Sequence, residues 1–120
     1  MVHPSPSPAV VRYIPHMIRE VTILNVRPGT QIKFERDFSR AIPLIQSIPG
    51  YLDHELGRCL ETPHRYVLLV EWRCLEDHTI GFRQSSTYLE WQRRLHHYYD
   101  PFPVVELSQA IQIAPEVDSS

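Results

Sequence analysis

RYVLLVEWR, residues 65–73, carries Tyr66, Leu68, Val70 and Trp72 on one parity and Val67 and Leu69 on the other. Side chains of a strand alternate between faces, so apolar residues on both parities predict a strand covered on both sides, at the centre of a sheet. The preceding ETPH, residues 61–64, reads as a turn. Before it, YLDHELGRCLE, residues 51–61, alternates, with Leu52, His54 and Leu56 facing one way and Tyr51, Asp53 and Glu55 the other. The two segments predict a β-hairpin.

Upstream, MIREVTILNV, residues 17–26, is β-branched and apolar on both parities and stops at a Pro-Gly turn, as a strand would. From Thr30 the period changes. Phe34, Phe38, Ala41, Ile42 and Ile45 recur at steps of three and four, opposite Lys33, Glu35, Arg36, Asp37 and Arg40, which predicts an amphipathic helix. Pro43 is expected to kink it or interrupt its hydrogen bonding, and the Pro-Gly of IPGY, residues 48–51, to close it. Downstream, LEDHTIGFRQS (75–85) and TYLEWQRRLHHYY (87–99) return to helical spacing, the second opened by Thr87 and Glu90 in capping-box register. DPFP (100–103) breaks that helix, and VVELSQAIQI (104–113) ends the domain as a strand with Val105, Leu107, Ile111 and Ile113 on one parity.

The order βαββααβ predicts a ferredoxin-like α+β domain, a four-stranded antiparallel sheet with its helices on one face. Because the first and third strands are apolar on both parities, the helix-free face must also be covered, and a second copy of the chain is the expected cover. A Pro-rich N-terminal arm is placed at residues 1–16, the domain at 17–113 and a tail at 114–120.

With 120 residues the chain has room for one domain. No apolar run approaches the roughly 18 residues of a membrane helix. MVHPSPSPAV, residues 1–10, has no apolar core of a secretory signal, so a cytoplasmic location is expected. A net charge of −2, with eleven Arg and Lys33 scattered along the chain, argues against nucleic acid or an anionic membrane as partner. In the hairpin register Cys59 and Cys74 lie too far apart to pair and are expected as reduced thiols. His96 and His97, adjacent on a helix, diverge by roughly 100° and cannot chelate one ion together; they read as C-terminal residues favoured by the helix dipole. No metal is expected, and no glycine-rich phosphate loop marks a flavin or nucleotide site.

IPGY, LLVEWRCLEDHTIGFRQSSTYLEW (68–91) and DPFPVVE (100–106), in this order of elements, resemble the antibiotic biosynthesis monooxygenase group of the dimeric α+β barrel superfamily over about residues 17–113. The spacing W-x-x-x-x-x-H-x-x-x-F-x-x-S is filled by Trp72, His78, Phe82 and Ser85. The resemblance implies a homodimer whose two sheets close into a barrel, with a substrate cleft between sheet and helices in each subunit. It also implies an enzyme, a cofactor-independent monooxygenase taking dioxygen and a flat, hydrophobic phenol, quinol or polyketide-like substrate. Relatives of the same fold degrade haem or act as isomerases and cyclases. Three working positions of the haem degraders, Asn, Trp and His, are filled here by Thr22, Phe82 and Gln92. Against the anthrone oxygenases Trp72 is kept, while Leu68 and Gln92 stand where Asn and Arg would.

His78 shares an inward helical stripe with Leu75 and Phe82. A neutral imidazole can remove a proton from a phenol or an activated C–H near neutral pH, so His78 is the expected general base. The alternative is a buried histidine that holds the helix entry through a backbone carbonyl. Trp72 is expected as a pocket wall or a donor toward a substrate anion, or else as plain core. Tyr66, Leu68, Phe82, Trp91 and Tyr98 are the expected substrate contacts, although their spacing also fits packing; Tyr99 is placed at the same border as Tyr98. Ser85 and Ser86 read as helix caps, not nucleophiles. Two rival functions stay open: isomerisation or cyclisation driven by the same His78, and a barrel that binds a ligand without turning it over.

Overall fold

A computed structural model describes residues 11–117, with side chains from Met17 onward. The chain runs β1 (Val11–Asn25), α1 (Gln31–Gln46), β2 (Tyr51–Arg58), β3 (Arg65–Trp72), a π-helical turn (Asp77–Phe82), α2 (Ser86–Leu95), a 3-10 turn (His96–Tyr98) and β4 (Val105–Ile113). The strands form one antiparallel sheet in the order β2-β3-β1-β4. This is the ferredoxin-like α+β arrangement that the hydrophobic periods predict. The inward row of β3, Tyr66, Leu68, Val70 and Trp72, is at most 4% exposed.

α1 lays Phe34, Phe38, Ala41 and Ile45 on this row. Burying each of the large side chains is worth about 1.5–3 kcal/mol. The helix continues through Pro43 to Gln46. Pro43 and Ser39 are both on the solvent side, where water can take up the carbonyl that Pro43 leaves without a donor. α2 is capped by Ser85, whose Oγ accepts from the Tyr88 N–H at 3.0 Å, so the capping-box register at Thr87 is not used. Cys59 and Cys74 are free thiols.

Two strand details depart from simple alternation. β1 begins at Val11, six residues before the segment read as strand, and Val11, Arg12 and Tyr13 pair with Ile113, Gln112 and Ile111 of β4. The ladder is interrupted between Tyr13 and Ile18, an interval that holds Pro15, which has no N–H to donate. In β2 the register shifts between Tyr51 and Asp53. Leu52 is thereby turned out, 49% exposed, and Tyr51 comes to the side of His54, which it meets through a hydroxyl to Nδ1 hydrogen bond.

The helix-free face carries Val21 and Ile23 of β1 opposite Leu69 and Val67 of β3, beside an Arg19–Glu71 ion pair at 3.0 Å. Ile23 is 42% exposed. Among the described residues no helix is long and apolar enough to cross a membrane. Residues 1–10 of the expected arm and the last three of the tail lie outside the described residues.

Candidate functional site

After β3 the backbone winds as a π-turn, not as the α-helix that the spacing predicts: the Arg83 N–H donates to the His78 carbonyl at 2.9 Å, five residues back. The turn is held at its first residue. Arg73 donates through Nε and Nη2 to the two carboxylate oxygens of Asp77, each at 3.1 Å, and Cys74 Sγ lies 3.2 Å from Oδ2. Burial pushes the Asp77 carboxyl up, but the bonds from Cys74 and Arg73 outweigh it and hold the group below its usual value. Gly50, at φ 92°, packs so closely that a Cβ there would fall 2.0 Å from Asp77 Oδ2.

The wide turn carries His78, Phe82 and Arg83 to one side. On an α-helix Arg83 would be rotated roughly 140° from His78 and would leave that side altogether. Leu75, which an α-helical stripe would place with them, is 43% exposed.

His78 is 3% exposed, and its partner is a side chain, not the backbone carbonyl of the alternative reading: Nε2 lies 3.0 Å from Oε1 of Glu20, on β1. Trp72 Nε1 donates to the same oxygen at 3.2 Å. Glu20 is itself 6% exposed. A buried carboxylate needs such donors, because its desolvation is offset only by hydrogen bonds and charge. With the Nε2 proton directed at Glu20, the lone pair of the neutral ring sits on Nδ1, which is buried and has no hydrogen-bond partner among the described residues. Two positions along the same strand face, Thr22 Oγ1 is also buried and unpartnered.

These groups line a cavity of about 250 Å³ between sheet and helices. Leu68, Phe82 and Trp91 are in its wall. Trp72, expected at the wall, is not among the lining residues: its Nε1 is taken by Glu20 and its ring is stacked on Phe82 with centroids 5.4 Å apart. The expected contacts Tyr66 and Tyr98 are not among the lining residues. Both are turned toward α1 instead, Tyr66 donating to Glu35 at 2.5 Å and Tyr98 to Asp37. Burial and then the bond to Glu35 push the Tyr66 hydroxyl up to about 12. Tyr99 takes the wall position.

Sequence reasoning passed over Glu20, Thr22, Arg83 and His96, all of which line the cavity. His96 belongs to the 3-10 turn, not to the last turn of α2, and is wedged 5.1 Å from Phe102 between ring centroids. The legible signal for Glu20 and Thr22 was their parity: both fall in register with Leu24 on a strand face that has to be buried. Among the described residues no group of three or more His, Cys, Asp or Glu side chains is gathered as a metal site.

The sheet, the helices on one of its faces and the aromatic-walled cavity between them define a ferredoxin-like α+β protein. The profile of the antibiotic biosynthesis monooxygenase family matches residues 17–94, and the chain belongs to that family. The uncharacterized protein YczJ of Bacillus subtilis is 48% identical over 95 residues, which is 79% of this chain and 100% of YczJ. A crystal structure from Bordetella bronchiseptica, described as an antibiotic biosynthesis monooxygenase, is 33% identical with a TM-score of 0.75, covering 79% of this chain and 97% of that one. SnoaB, a cofactor-independent oxygenase from Streptomyces nogalater, shares the fold with a TM-score of 0.62 at 18% identity, covering 88% of this chain and 99% of its own.

Proposed function

We propose that this chain is a cofactor-independent monooxygenase acting on a flat, hydrophobic, hydroxylated aromatic of the phenol, quinol or polyketide-like class, with His78 as general base and Glu20 and Trp72 as positioning residues. Family membership supports a monooxygenase-like role in general terms. The observation that carries the finer reading is the Glu20–His78 contact at the wall of an aromatic cavity. A carboxylate on Nε2 fixes the tautomer and stabilises the imidazolium that forms when Nδ1 takes a proton.

The substrate anion so generated transfers an electron to dioxygen, and recombination forms the new C–O bond. Recombination leaves a peroxide on that carbon. Loss of the carbon's remaining proton turns the C–H electron pair into a C=O bond as the O–O bond breaks, so one oxygen atom stays in the product and the other, protonated, leaves as water. The protein's part is deprotonation, orientation and a dry apolar wall. The helix-free face, with Ile23 and Val67 opposed, supports assembly as a homodimer in which each subunit keeps its own cavity.

Dioxygen consumption over a panel of hydroxylated aromatics tests the reading. Uptake that falls at least about a hundredfold in a folded His78→Ala protein is the expected result. Turnover of a panel member without dioxygen uptake would replace it with the isomerase or cyclase reading, and saturable binding without turnover with the ligand-binding one.

A further inference from the structure

We infer that the cavity selects substrates that carry a carboxylate beside the hydroxylated ring, and that Arg83 is the residue that recognises it. The inference rests on the aromatic-substrate reading above and specifies its substrate class. Of the residues lining the cavity, Arg83 alone bears a permanent positive charge. Arg19, Arg27, Arg58, Arg73, Arg93 and Arg94 each sit against a carboxylate of the protein. Arg83, like Arg36, Arg40 and Arg65, makes no such pair among the described residues, and of these four it is the one that lines the cavity.

Nor is its guanidinium left to swing freely. It lies over the ring of Tyr88, 4.9 Å from the centroid, and Tyr88 is itself part of the cavity wall. Its charge is felt within the site: burial first, and then the positive charge of Arg83, hold His96 below its ordinary value. The π-turn is what delivers Arg83 here, since its backbone N–H closes onto the His78 carbonyl and places the two side chains over one stretch of wall.

A planar guanidinium donates two parallel hydrogen bonds to a carboxylate, a geometry that a neutral phenol cannot use. The wall thus offers two different polar sites to one small aromatic. A carboxylate is met by Arg83, while a hydroxyl is met by His78 and Glu20, with Thr22 Oγ1 unpartnered beside them. A hydroxyarene carboxylic acid satisfies both, and a simple hydroxyarene only one.

Calorimetric titration with 3-hydroxy-2-naphthoate and with 2-naphthol tests this without any need for turnover. The intact chain is expected to bind the acid about tenfold more tightly than the naphthol, one well-made charged hydrogen-bond pair being worth at least that ratio. Arg83→Gln should remove the preference by weakening the acid alone, and Arg83→Lys, which keeps the charge but not the fork, should restore it only in part. Arg36→Gln, on the exposed side of α1, controls for net charge and should leave the preference intact. Equal binding of both ligands by the intact chain, or a preference that survives Arg83→Gln, overturns the inference while leaving the aromatic cavity standing. Failure of both ligands to bind overturns the aromatic-substrate reading and this inference with it. Because Arg83 is exposed, loss of fold is not expected in either variant; circular dichroism verifies this, and Arg83→Lys decides if Arg83→Gln does not fold.

Discussion

Glu20 and His78 meet through Oε1 and Nε2 at 3.0 Å, both almost wholly buried, with the Trp72 indole on the same carboxylate oxygen. A buried acid on a strand and a buried imidazole on a π-turn have little reason to coexist in an apolar core unless each satisfies the other. Their pairing makes separable predictions for the two residues.

His78→Ala should leave the fold intact and lower turnover of a responsive phenol by about 10²- to 10⁴-fold, the usual weight of positioned proton transfer. If His78 served only to satisfy Glu20, the same change would instead lower stability by about 1–3 kcal/mol with activity following the folded fraction. Urea midpoints measured beside dioxygen uptake distinguish the two. Glu20→Gln keeps an acceptor for both N–H donors but removes the charge that supports an imidazolium. A loss of turnover with a near-native midpoint is therefore expected for it.

Gly50→Ala and Gly29→Ala form an informative pair. Both glycines have positive φ, but a Cβ at Gly29 meets nothing within 4 Å, whereas one at Gly50 would strike the Asp77 carboxylate. Gly29→Ala should cost about 1 kcal/mol from backbone conformation alone. Gly50→Ala should cost about 3 kcal/mol or more and displace the π-turn. Equal unfolding midpoints for the two variants would mean that the Gly50–Asp77 contact does not hold the turn.

Alkaline stability should follow the buried tyrosines. Tyr66 is pushed up to about 12 by burial and its bond to Glu35, and burial likewise raises Tyr98 and Tyr99. A phenol whose folded value exceeds its unfolded value of about 10 stabilises the native state fully below pH ~10 and loses that contribution as the pH climbs toward 12. Stability measured by denaturant should thus be flat near neutrality and fall over that window. Tyr66→Phe should shrink the fall, and an unchanged slope in that variant would contradict the assignment.

Ile23→Asp tests the assembly. Ile23 is 42% exposed opposite Val67 on the helix-free face, so a charge there should split a dimer without entering the core. Sedimentation is expected to show the intact chain as a dimer and the variant as a folded species of 14.1 kDa. An intact chain that sediments at the monomer mass at micromolar concentration would remove the homodimer from the proposed function.

Elements were legible because hydrophobic period is a local property. The inward row of β3 and the Phe34, Phe38, Ala41, Ile45 stripe of α1 could each be read within one turn or a few strand residues. His78, Phe82, Leu68 and Trp91 read as inward on the same basis, and each is at most 6% exposed. The reading failed where a distant contact overrode the local period. Arg73 and Gly50 anchor Asp77 and accompany the change from α to π winding. The β2 register shift brings Tyr51 inward. Tyr66 and Tyr98, apolar by pattern, carry hydroxyls that find carboxylates on α1 and so point away from the cavity.

The sequence by itself determined the order of strands and helices, the buried stripe of α1 and the central place of β3, since each follows from the spacing of side chains along a few bonded residues; Leu107, Ile111 and Ile113 of β4, on the parity read as apolar, are 41%, 46% and 59% exposed. Only the tertiary structure decided what the cavity contains. Glu20 reads locally as one more charge on a strand. It becomes the partner of Trp72, 52 residues away, and of His78 because antiparallel pairing sets β1 beside β3 and the π-turn folds back over both. Strand register and the winding of one turn are settled by non-local packing, so parity marks Glu20 as facing inward but does not say which side chains it meets.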